Sequence, residues 1–279
     1  MQQRIHLFGM VDGAADPARI QPLLEESGAQ FASLYTGLPE EQMGPASLFL
    51  VRIENSSAPW VAELDQIDLH APCVTLIWSH VDLDELAVHL RSFLFTGIGE
   101  GMTAMIRFFD PRIIDAVLSM WGESIRNVFL APLVRLKYRG RHEQWQTIEN
   151  DSLEAGRVTR SVVIDLEQVD IDRLMAHTEP DELMASLIDR GHIDKRVSYR
   201  SRFLDFEPRY KRAREWGLSE PKDKLDYCEY SYRYGADFDR HRYVRDALSA
   251  RRNTGGSFDA VVDRLPRWVW DELKRERKG

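Results

Sequence analysis

The chain has 279 residues, a net charge of −8 and an ordinary globular composition, with 43% hydrophobic and 29% charged residues. Such a chain can bury about three quarters of its unfolded surface, and its composition excludes a disordered or fibrous protein. Its apolar runs are shorter than the roughly 18 residues of a membrane span, and the first run is too short for a signal peptide. The two cysteines stand far apart, which argues against a disulfide scaffold, so we expect a cytoplasmic protein with no membrane partner.

Short apolar runs alternate with amphipathic runs over the first half of the chain. The apolar runs predict strands at 5–11, 31–35, 48–53, 73–78 and 103–109, and a hairpin of 128–138 with 143–148. The amphipathic runs predict helices at 17–26, 59–67, 82–95 and 111–121. Because strands that alternate with helices are typical of α/β proteins, we expect an α/β lobe over 1–149, with flanking helices on a mixed, at least partly parallel sheet.

The pattern changes near residue 150. Residues 150–161 are polar and lack a clear period, which predicts a linker over 150–164. Beyond it, helical spacing and helix-start prolines recur at 166–175, 180–188, 199–216, 221–234, 240–250, 257–265 and 266–276. We therefore expect an all-α lobe over 165–279.

Charge is distributed unevenly along the chain. Residues 1–189 hold 14 Lys and Arg against 29 Asp and Glu, whereas residues 190–279 hold 23 against 16. This polarity indicates either two lobes that attract each other or a basic face for an acidic partner.

Three aspartates stand where helices are predicted to begin. Asp16 and Asp110 each precede a proline, an arrangement typical of an N-cap followed by proline at the first helical position. Asp82, with Glu85 three residues later, resembles a capping box. These aspartates therefore have a sufficient structural role without a catalytic one.

Motifs for catalysis and metal binding are missing from the sequence. The glycine-rich run 97–101 lacks the spacing of a dinucleotide loop and follows a predicted helix, so it predicts a helix end and a turn. No two histidines are spaced i, i+4, and His89 flanks the apolar stripe of its predicted helix, as a packing residue would. We expect no enzymatic activity, no cofactor and no metal, with an unrecognised hydrolase as an alternative.

The segment Arg107–Arg112 joins a predicted strand to a predicted helix. In the strand, Arg107 shares a face with Met105 and Phe109, so its guanidinium should have an anionic partner, either Asp12 or Asp110. This predicts either a structural ion pair or a contact with a ligand or partner at the sheet edge. Arg112 falls in the first turn of a predicted helix, where a cation is disfavoured, which makes it the best candidate in the motif for a partner contact.

Nucleic-acid binding by the second lobe is a further alternative. Aromatic residues and arginines that could stack on bases and hold phosphates alternate in this lobe. They are Tyr227, Tyr230, Tyr232, Arg233, Tyr234, Arg240, Arg242, Tyr243 and Arg245. Five acidic residues interspersed among them would repel phosphate, and packing between helices explains the tyrosines more simply, so we expect no nucleic-acid partner.

Short motifs occur in a fixed order over about residues 5–130. They are Met10–Ala14, Leu34–Gly37, Gly44-Pro45, Pro59-Trp60, Ile77–Ser79, His89–Arg91 and Arg107–Arg112. In this order and spacing they resemble the effector adaptor chaperones of bacterial type VI secretion, a family catalogued as a domain of unknown function. Ala131-Pro132 departs from the Gly-Pro that is usual in the family, and the resemblance beyond residue 150 is looser.

The resemblance implies a non-enzymatic adaptor or chaperone. Such a protein binds a secreted toxic effector in the cytosol and helps to load it onto the spike protein of the secretion system, so an effector and a spike protein are the expected partners. The candidate residues for partner binding are those of the matching motifs. They are Asp12, Pro45, Trp60, His89, Arg91, Arg107, Asp110 and Arg112.

Overall fold

A computed structural model describes residues 4–142, 144–150 and 156–277. Residue 143 of the predicted hairpin and residues 151–155 of the predicted linker lie outside this range. The chain divides into two compact units, the first running to His177 and including Ser198–Arg200, the second formed by Thr178–Val197 and the residues from Ser201 onward.

The strands belong to the first unit. In chain order they are β1 (His6–Asp12), β2 (Phe31–Ser33), β3 (Leu48–Arg52), β4 (Val74–Ser79), β5 (Phe95–Gly97), β6 (Thr103–Met105), β7 (Leu133–Arg139) and β8 (Trp145–Glu149). Six of them form one sheet in the order β2-β3-β1-β4-β7-β8, and β5 pairs with β6 in a separate ribbon. Each of these ladders is antiparallel.

The helices lie between the strands and after them. In chain order they are α1 (Ile20–Ser27), α2 (Pro59–His70), α3 (Leu83–Arg91), α4 (Ile114–Met120), α5 (Gly122–Leu130), α6 (Gln168–Asp189), α7 (Tyr199–Glu215), α8 (Pro221–Tyr234), α9 (Arg242–Thr254), α10 (Phe258–Arg264) and α11 (Arg267–Glu276). The predicted class, an α/β lobe followed by an all-α lobe, is confirmed. None of the helices within the described residues is long and apolar enough to cross a membrane.

Alternating side chains of the central strands supply two separate cores. In β3, Leu48 and Leu50 pack in the cluster that contains α3, α4 and α5, whereas Phe49 and Val51 pack in the cluster that contains α1 and α2. Because successive residues of a strand point to opposite faces, this apolar strand is buried on both sides. The first unit is thus a sheet covered by helices on each face.

The sheet corrects the expectation of parallel pairing. Strands β3 and β4 are both antiparallel to β1 and so run in the same direction, with α2 between them in sequence. The alternation of strand and helix in the sequence therefore predicted correctly that β3 and β4 run in the same direction. However, β1 lies between them, so they share no ladder.

Several predicted elements were wrong in extent. The strand predicted at 103–109 ends at Met105, and residues 108–109 form a turn. Residues 122–130 form helix α5, where the start of a strand was predicted from residue 128, and the two helices predicted at 166–175 and 180–188 are the single helix α6, with Pro180 inside it. The glycine-rich run 97–101 connects β5 to β6 rather than ending a helix.

The predicted helix caps had mixed outcomes. The carboxylate of Asp82 accepts a hydrogen bond from the Glu85 amide at 2.9 Å and caps α3 as predicted. The N-cap prediction is wrong for Asp16 and Asp110, because α1 and α4 begin three to four residues later. In both segments the aspartate's backbone carbonyl accepts from the amides three and four residues further on, and the Asp110 carboxylate also accepts from the Arg112 amide at 3.0 Å.

The described part of the predicted linker runs along the first unit. The Gly97 amide donates to the Ile164 carbonyl at 2.7 Å, and the Leu166 amide donates back to Gly97 at 2.9 Å. Val158 and Val162 pack against the larger core cluster, in which Ile164 is buried. The boundaries 1–149, 150–164 and 165–279 stay a prediction, but residues 156–166 are bound to the α/β unit by backbone hydrogen bonds.

The second unit packs its helices around aromatic side chains. Tyr227 is fully buried, with its ring 5.0 Å from that of Phe238 and 5.7 Å from that of Phe258. Its hydroxyl and the Trp216 indole N–H both donate to Asp239 Oδ2 at 2.7 Å. Tyr227 therefore serves the packing of this unit.

Candidate functional site

The candidate site begins at the end of β1. Asp12 is buried, and its carboxylate accepts from the Ala14 amide at 3.1 Å and from Arg107 Nη2 at 2.9 Å. The next residue, Gly13, donates its amide to the Ser47 carbonyl at 2.9 Å. A Cβ on Gly13 would lie 2.4 Å from the Pro45 carbonyl oxygen, so the chain at Pro45 approaches this strand end so closely that only glycine fits there.

The segment Arg107–Arg112 forms a turn that joins this strand end. Arg112 donates to Asp110 through its backbone amide at 3.0 Å, its Nε at 2.8 Å and its Nη2 at 2.6 Å. Arg107 Nη2, besides its bond to Asp12, lies 3.5 Å from Asp110 Oδ2, and its guanidinium lies 5.7 Å from the centre of the Phe109 ring. Two carboxylates and two guanidiniums thus form one neutral network, which we call the Asp12–Arg112 network (Asp12, Arg107, Asp110 and Arg112).

The pKa values of the two buried carboxylates in this network shift in opposite directions. Burial raises the pKa of Asp12, and the Arg107 guanidinium offsets this only in part. Burial would also raise the pKa of Asp110, but the Arg112 and Arg107 guanidiniums and the bonds that Arg112 donates hold that pKa below its usual value. The bidentate pairing of Asp110 accounts for the difference, because two parallel charge-assisted bonds favour the ionised form strongly.

The carboxylates of the network are buried and hydrogen-bonded, whereas the guanidinium of Arg107 is partly exposed to solvent. Both carboxylates are buried and accept hydrogen bonds, whereas about half of the Arg107 side chain is exposed and most of Arg112 is covered. The predicted ion pair of Arg107 is thus present, although Arg107 lies in a turn rather than on a strand face. Its exposed guanidinium edge is the part of this network that a partner or an anionic ligand could contact.

The structure gives Arg112 a structural role, pairing with Asp110, that its position in the sequence did not reveal. It lies two residues before α4, and the Asp110 carboxylate that it pairs with balances its charge at this helix start. Its guanidinium forms a fork on Asp110. A role in binding a partner remains a prediction, and the geometry favours Arg107 over Arg112 for it.

His89 lies away from this network, in the larger core cluster. Its Nε2 is 2.9 Å from the Phe129 carbonyl, and its Nδ1 is 3.0 Å from the Thr159 amide. A carbonyl can only accept and an amide N–H can only donate, so the ring is the neutral Nε2–H tautomer. Burial lowers the pKa of His89 to about 4, against a smaller opposing effect of the bond to Phe129. His89 thereby connects α3, the end of α5 and the segment after residue 156.

Arg91 and Trp60 occupy two further places. Arg91 donates from Nε to the Leu34 carbonyl at 3.2 Å and from Nη2 to the Ser33 carbonyl at 2.8 Å, which attaches α3 to the end of β2. Trp60 is half-buried on α2, packs in the core on the opposite face of the sheet, and lines a shallow surface depression. Of the predicted site residues, the structure therefore brings together Asp12, Pro45, Arg107, Asp110 and Arg112 and separates the other three.

A second buried carboxylate was missed from the sequence. Asp68, near the end of α2, accepts from the Cys73 and Val74 amides at 2.8 Å each, and Arg139 Nε lies 3.6 Å away. Burial raises the pKa of Asp68 to about 6, against the opposing effect of those two amides. An aspartate six residues before a buried strand has no distinctive sequence pattern, because its partners here are backbone amides.

Among the described residues, no group of three or more His, Cys, Asp and Glu side chains is placed to hold a metal ion. The aromatic and arginine residues proposed to bind nucleic acid do not form one exposed surface either. Tyr227 and Tyr234 are buried, and Arg233 and Arg240 pair with Glu229 and Asp237.

Comparison with known proteins gives one match. Residues 7–127 match the family model described as Domain of unknown function (DUF4123). The match ends within α5, so it covers less than half of the chain and includes the whole Asp12–Arg112 network. Searches of the curated proteins and of the solved structures find no match.

Proposed function

We propose that this chain is a non-enzymatic adaptor or chaperone that binds a type VI secretion effector in the cytosol and helps to load it onto the secretion spike protein. The observation that carries the proposal is the ordered set of motifs within residues 7–127, the stretch that matches the family model. These motifs resemble those of effector adaptors, and the resemblance, not a catalytic arrangement, points to this function.

The contacts of the motif residues support a binding role. Asp12 and Asp110 accept hydrogen bonds inside the network, and His89 and Arg91 bond to backbone groups of the same unit. Side chains used in this way shape a surface and hold it rigid, which lowers the entropy cost of binding a partner. The exposed half of Arg107 then provides a fixed cation on that surface.

The nucleic-acid alternative receives less support. Stacking on bases requires exposed rings, but Tyr227 and Tyr234 lie in the packing of the second unit. Two arginines of this set, Arg233 and Arg240, form ion pairs with neighbouring carboxylates. We therefore favour a protein partner.

Deletion of the gene in the host bacterium tests the proposal. We expect one effector to disappear from the secreted fraction, while the spike protein is still secreted, and purified chain should capture that effector. Arg107→Ala should weaken the capture. Arg135→Ala is the matched control, since Arg135 is equally exposed and pairs with Glu149 in the same unit. Unchanged secretion of every effector after deletion would contradict the proposal.

A further inference from the structure

Two exposed aromatic side chains lie against each other on the second unit. Tyr243, in the first turn of α9, is 37% exposed, and Trp268, in the first turn of α11, is 47% exposed. Their ring centres are 5.1 Å apart and their planes cross at 88°, the edge-to-face arrangement that aromatic pairs prefer. We call this pair, with its flanking arginines Arg242 and Arg267, the Tyr243–Trp268 surface.

The surface rests on a rigid base. Val244 and Val269, the residues that follow the two aromatics, are fully buried, so each helix start is anchored in the core of the unit. The His241 ring lies 5.9 Å from Tyr243 and 6.5 Å from Trp268, and Glu272 lies 3.7 Å from His241 Nε2. Exposed aromatic rings held in this way can bind a partner at a low cost in conformational entropy.

The two arginines that flank the rings lie at helix starts. Arg242 and Arg267 occupy the first positions of α9 and α11, and neither helix has an acidic residue in its first turn. A cation at a helix N-terminus is repelled by the partial positive charge of the helix dipole. Each arginine therefore increases the positive electrostatic potential at its helix N-terminus.

Several other arginines of the second unit form ion pairs. Arg190, Arg212, Arg233 and Arg245 each pair with a carboxylate. Within the part of the chain that the structure describes, neither Arg242 nor Arg267 forms an ion pair, and the Arg242 guanidinium lies 4.6 Å from the centre of the Tyr243 ring.

We propose that the Tyr243–Trp268 surface binds an acidic, partly apolar segment of another protein. Trp, Tyr and Arg are the side chains that dominate binding energy at protein interfaces, and this surface combines one Trp, one Tyr and two Arg. Residues 240–279 hold 11 Lys and Arg against 6 Asp and Glu, so the surroundings complement a negative partner. A nucleic acid is less favoured, because the other aromatics of the set lie in the core and Glu272 borders the surface.

The proposal goes beyond the adaptor function and does not depend on it. It places an interaction surface in the second unit, outside the stretch that matches the family model. A peptide-binding measurement tests it directly, whereas secretion of effectors tests the adaptor function, so failure of one leaves the other standing.

The experiment is selection of a random peptide library displayed on phage against the full-length protein, after depletion on the Tyr243→Ala/Trp268→Ala variant. The selected peptides should carry several Asp or Glu beside at least one large apolar residue. A synthetic, labelled peptide should bind about tenfold or more weakly to that variant and to Arg242→Glu/Arg267→Glu. Affinity should also fall as salt rises, because exposed charges are screened over about 10 Å at 0.1 M.

Two controls match the variants in chemistry. Trp145→Ala removes an exposed tryptophan of the first unit, and Arg196→Glu reverses an exposed arginine of the second, so both should bind like the wild type. Circular dichroism and thermal unfolding confirm that each variant folds. The proposal is overturned by the absence of selected peptides, by selected peptides without acidic residues, by tighter binding of a single-stranded oligonucleotide at this surface, or by self-association of the chain through it.

Discussion

Protonation of His89 should weaken the first unit, because the folded structure leaves no place for a second proton. The ring donates from Nε2 to the Phe129 carbonyl, and its Nδ1 faces the Thr159 N–H at 3.0 Å. A proton on Nδ1 would turn an acceptor into a second donor that points at a donor. It would also place a charge in a fully buried cluster of aromatic rings, with Phe93 5.0 Å away.

The magnitude follows from the pKa of His89. The value is 6.5 in the unfolded chain and about 4 in the folded one. At about 1.4 kcal/mol per pKa unit, the difference amounts to about 3 kcal/mol. Between these values the unfolded state binds the proton and the folded state does not, so stability rises with pH. This contribution is fully present above pH 6.5 and is lost as pH falls through about 4.

Asp68 should act in the opposite direction over nearly the same pH range. Burial raises its pKa from 3.8 to about 6, so between these values the folded state binds the proton and the unfolded state does not. Stability from this group is therefore highest below pH 3.8 and is lost as pH rises through about 6, again by about 3 kcal/mol. In the wild type the two contributions nearly cancel.

Two substitutions that remove the titrating groups separate the effects. Urea unfolding of wild type, His89→Gln and Asp68→Asn should be measured from about pH 3.5 to about pH 7.5, a range that brackets both folded-state pKa values. Relative to wild type, His89→Gln should lose about 3 kcal/mol of stability as pH rises across this range, and Asp68→Asn should gain about 3 kcal/mol. Proton NMR should show that His89 does not titrate above about pH 5.

Either of two results would refute this reasoning. A His89 resonance that titrates near pH 6.5 would mean that the ring is not enclosed between Phe129 and Thr159. A stability difference between Asp68→Asn and wild type that stays constant with pH would mean that the Arg139 guanidinium, 3.6 Å from Asp68, keeps the carboxylate ionised.

Three further predictions concern the network, the close approach beside it and the two thiols. Arg107→Ala should lower stability by about 1–2 kcal/mol, because it removes the guanidinium that bonds to a buried aspartate; a thermal melt identical to wild type would show that the pair contributes nothing. Gly13→Ala should lower the free energy of unfolding by about 2 kcal/mol or more, since the new methyl group would overlap two carbonyl oxygens. Gly140→Ala is the control: its new methyl group would meet one side-chain atom, at 3.9 Å, so it should leave urea unfolding nearly unchanged. Cys73 and Cys228 are fully buried and burial raises the pKa of both thiols, so neither should react with a thiol reagent until its own unit opens; rapid labelling of the native protein would contradict their burial.

The positions of strands and helices were readable from the sequence where hydrophobic periodicity is strong. The runs at β1, β3 and β4 are continuous and apolar, and the structure buries them on both faces of the sheet. The periodicity failed at α5, where Val128, Phe129 and Leu130 are consecutive apolar residues at the end of a helix. A short apolar run has no period of its own, so tertiary packing decides between helix and strand.

Within the candidate site, the sequence by itself determined which residues needed partners. A guanidinium between apolar neighbours requires an anion, and the sequence named Asp12 and Asp110 as the candidates for Arg107. The tertiary structure decided the pairing: Arg107 bridges both carboxylates and Arg112 forks onto Asp110. The same holds for His89, whose burial its helix pattern indicated but whose tautomer is fixed by Phe129 and Thr159, residues 40 and 70 positions away. Local patterns record what each segment must bury, whereas the partner of a buried polar group depends on contacts between segments distant in sequence, which no local pattern contains.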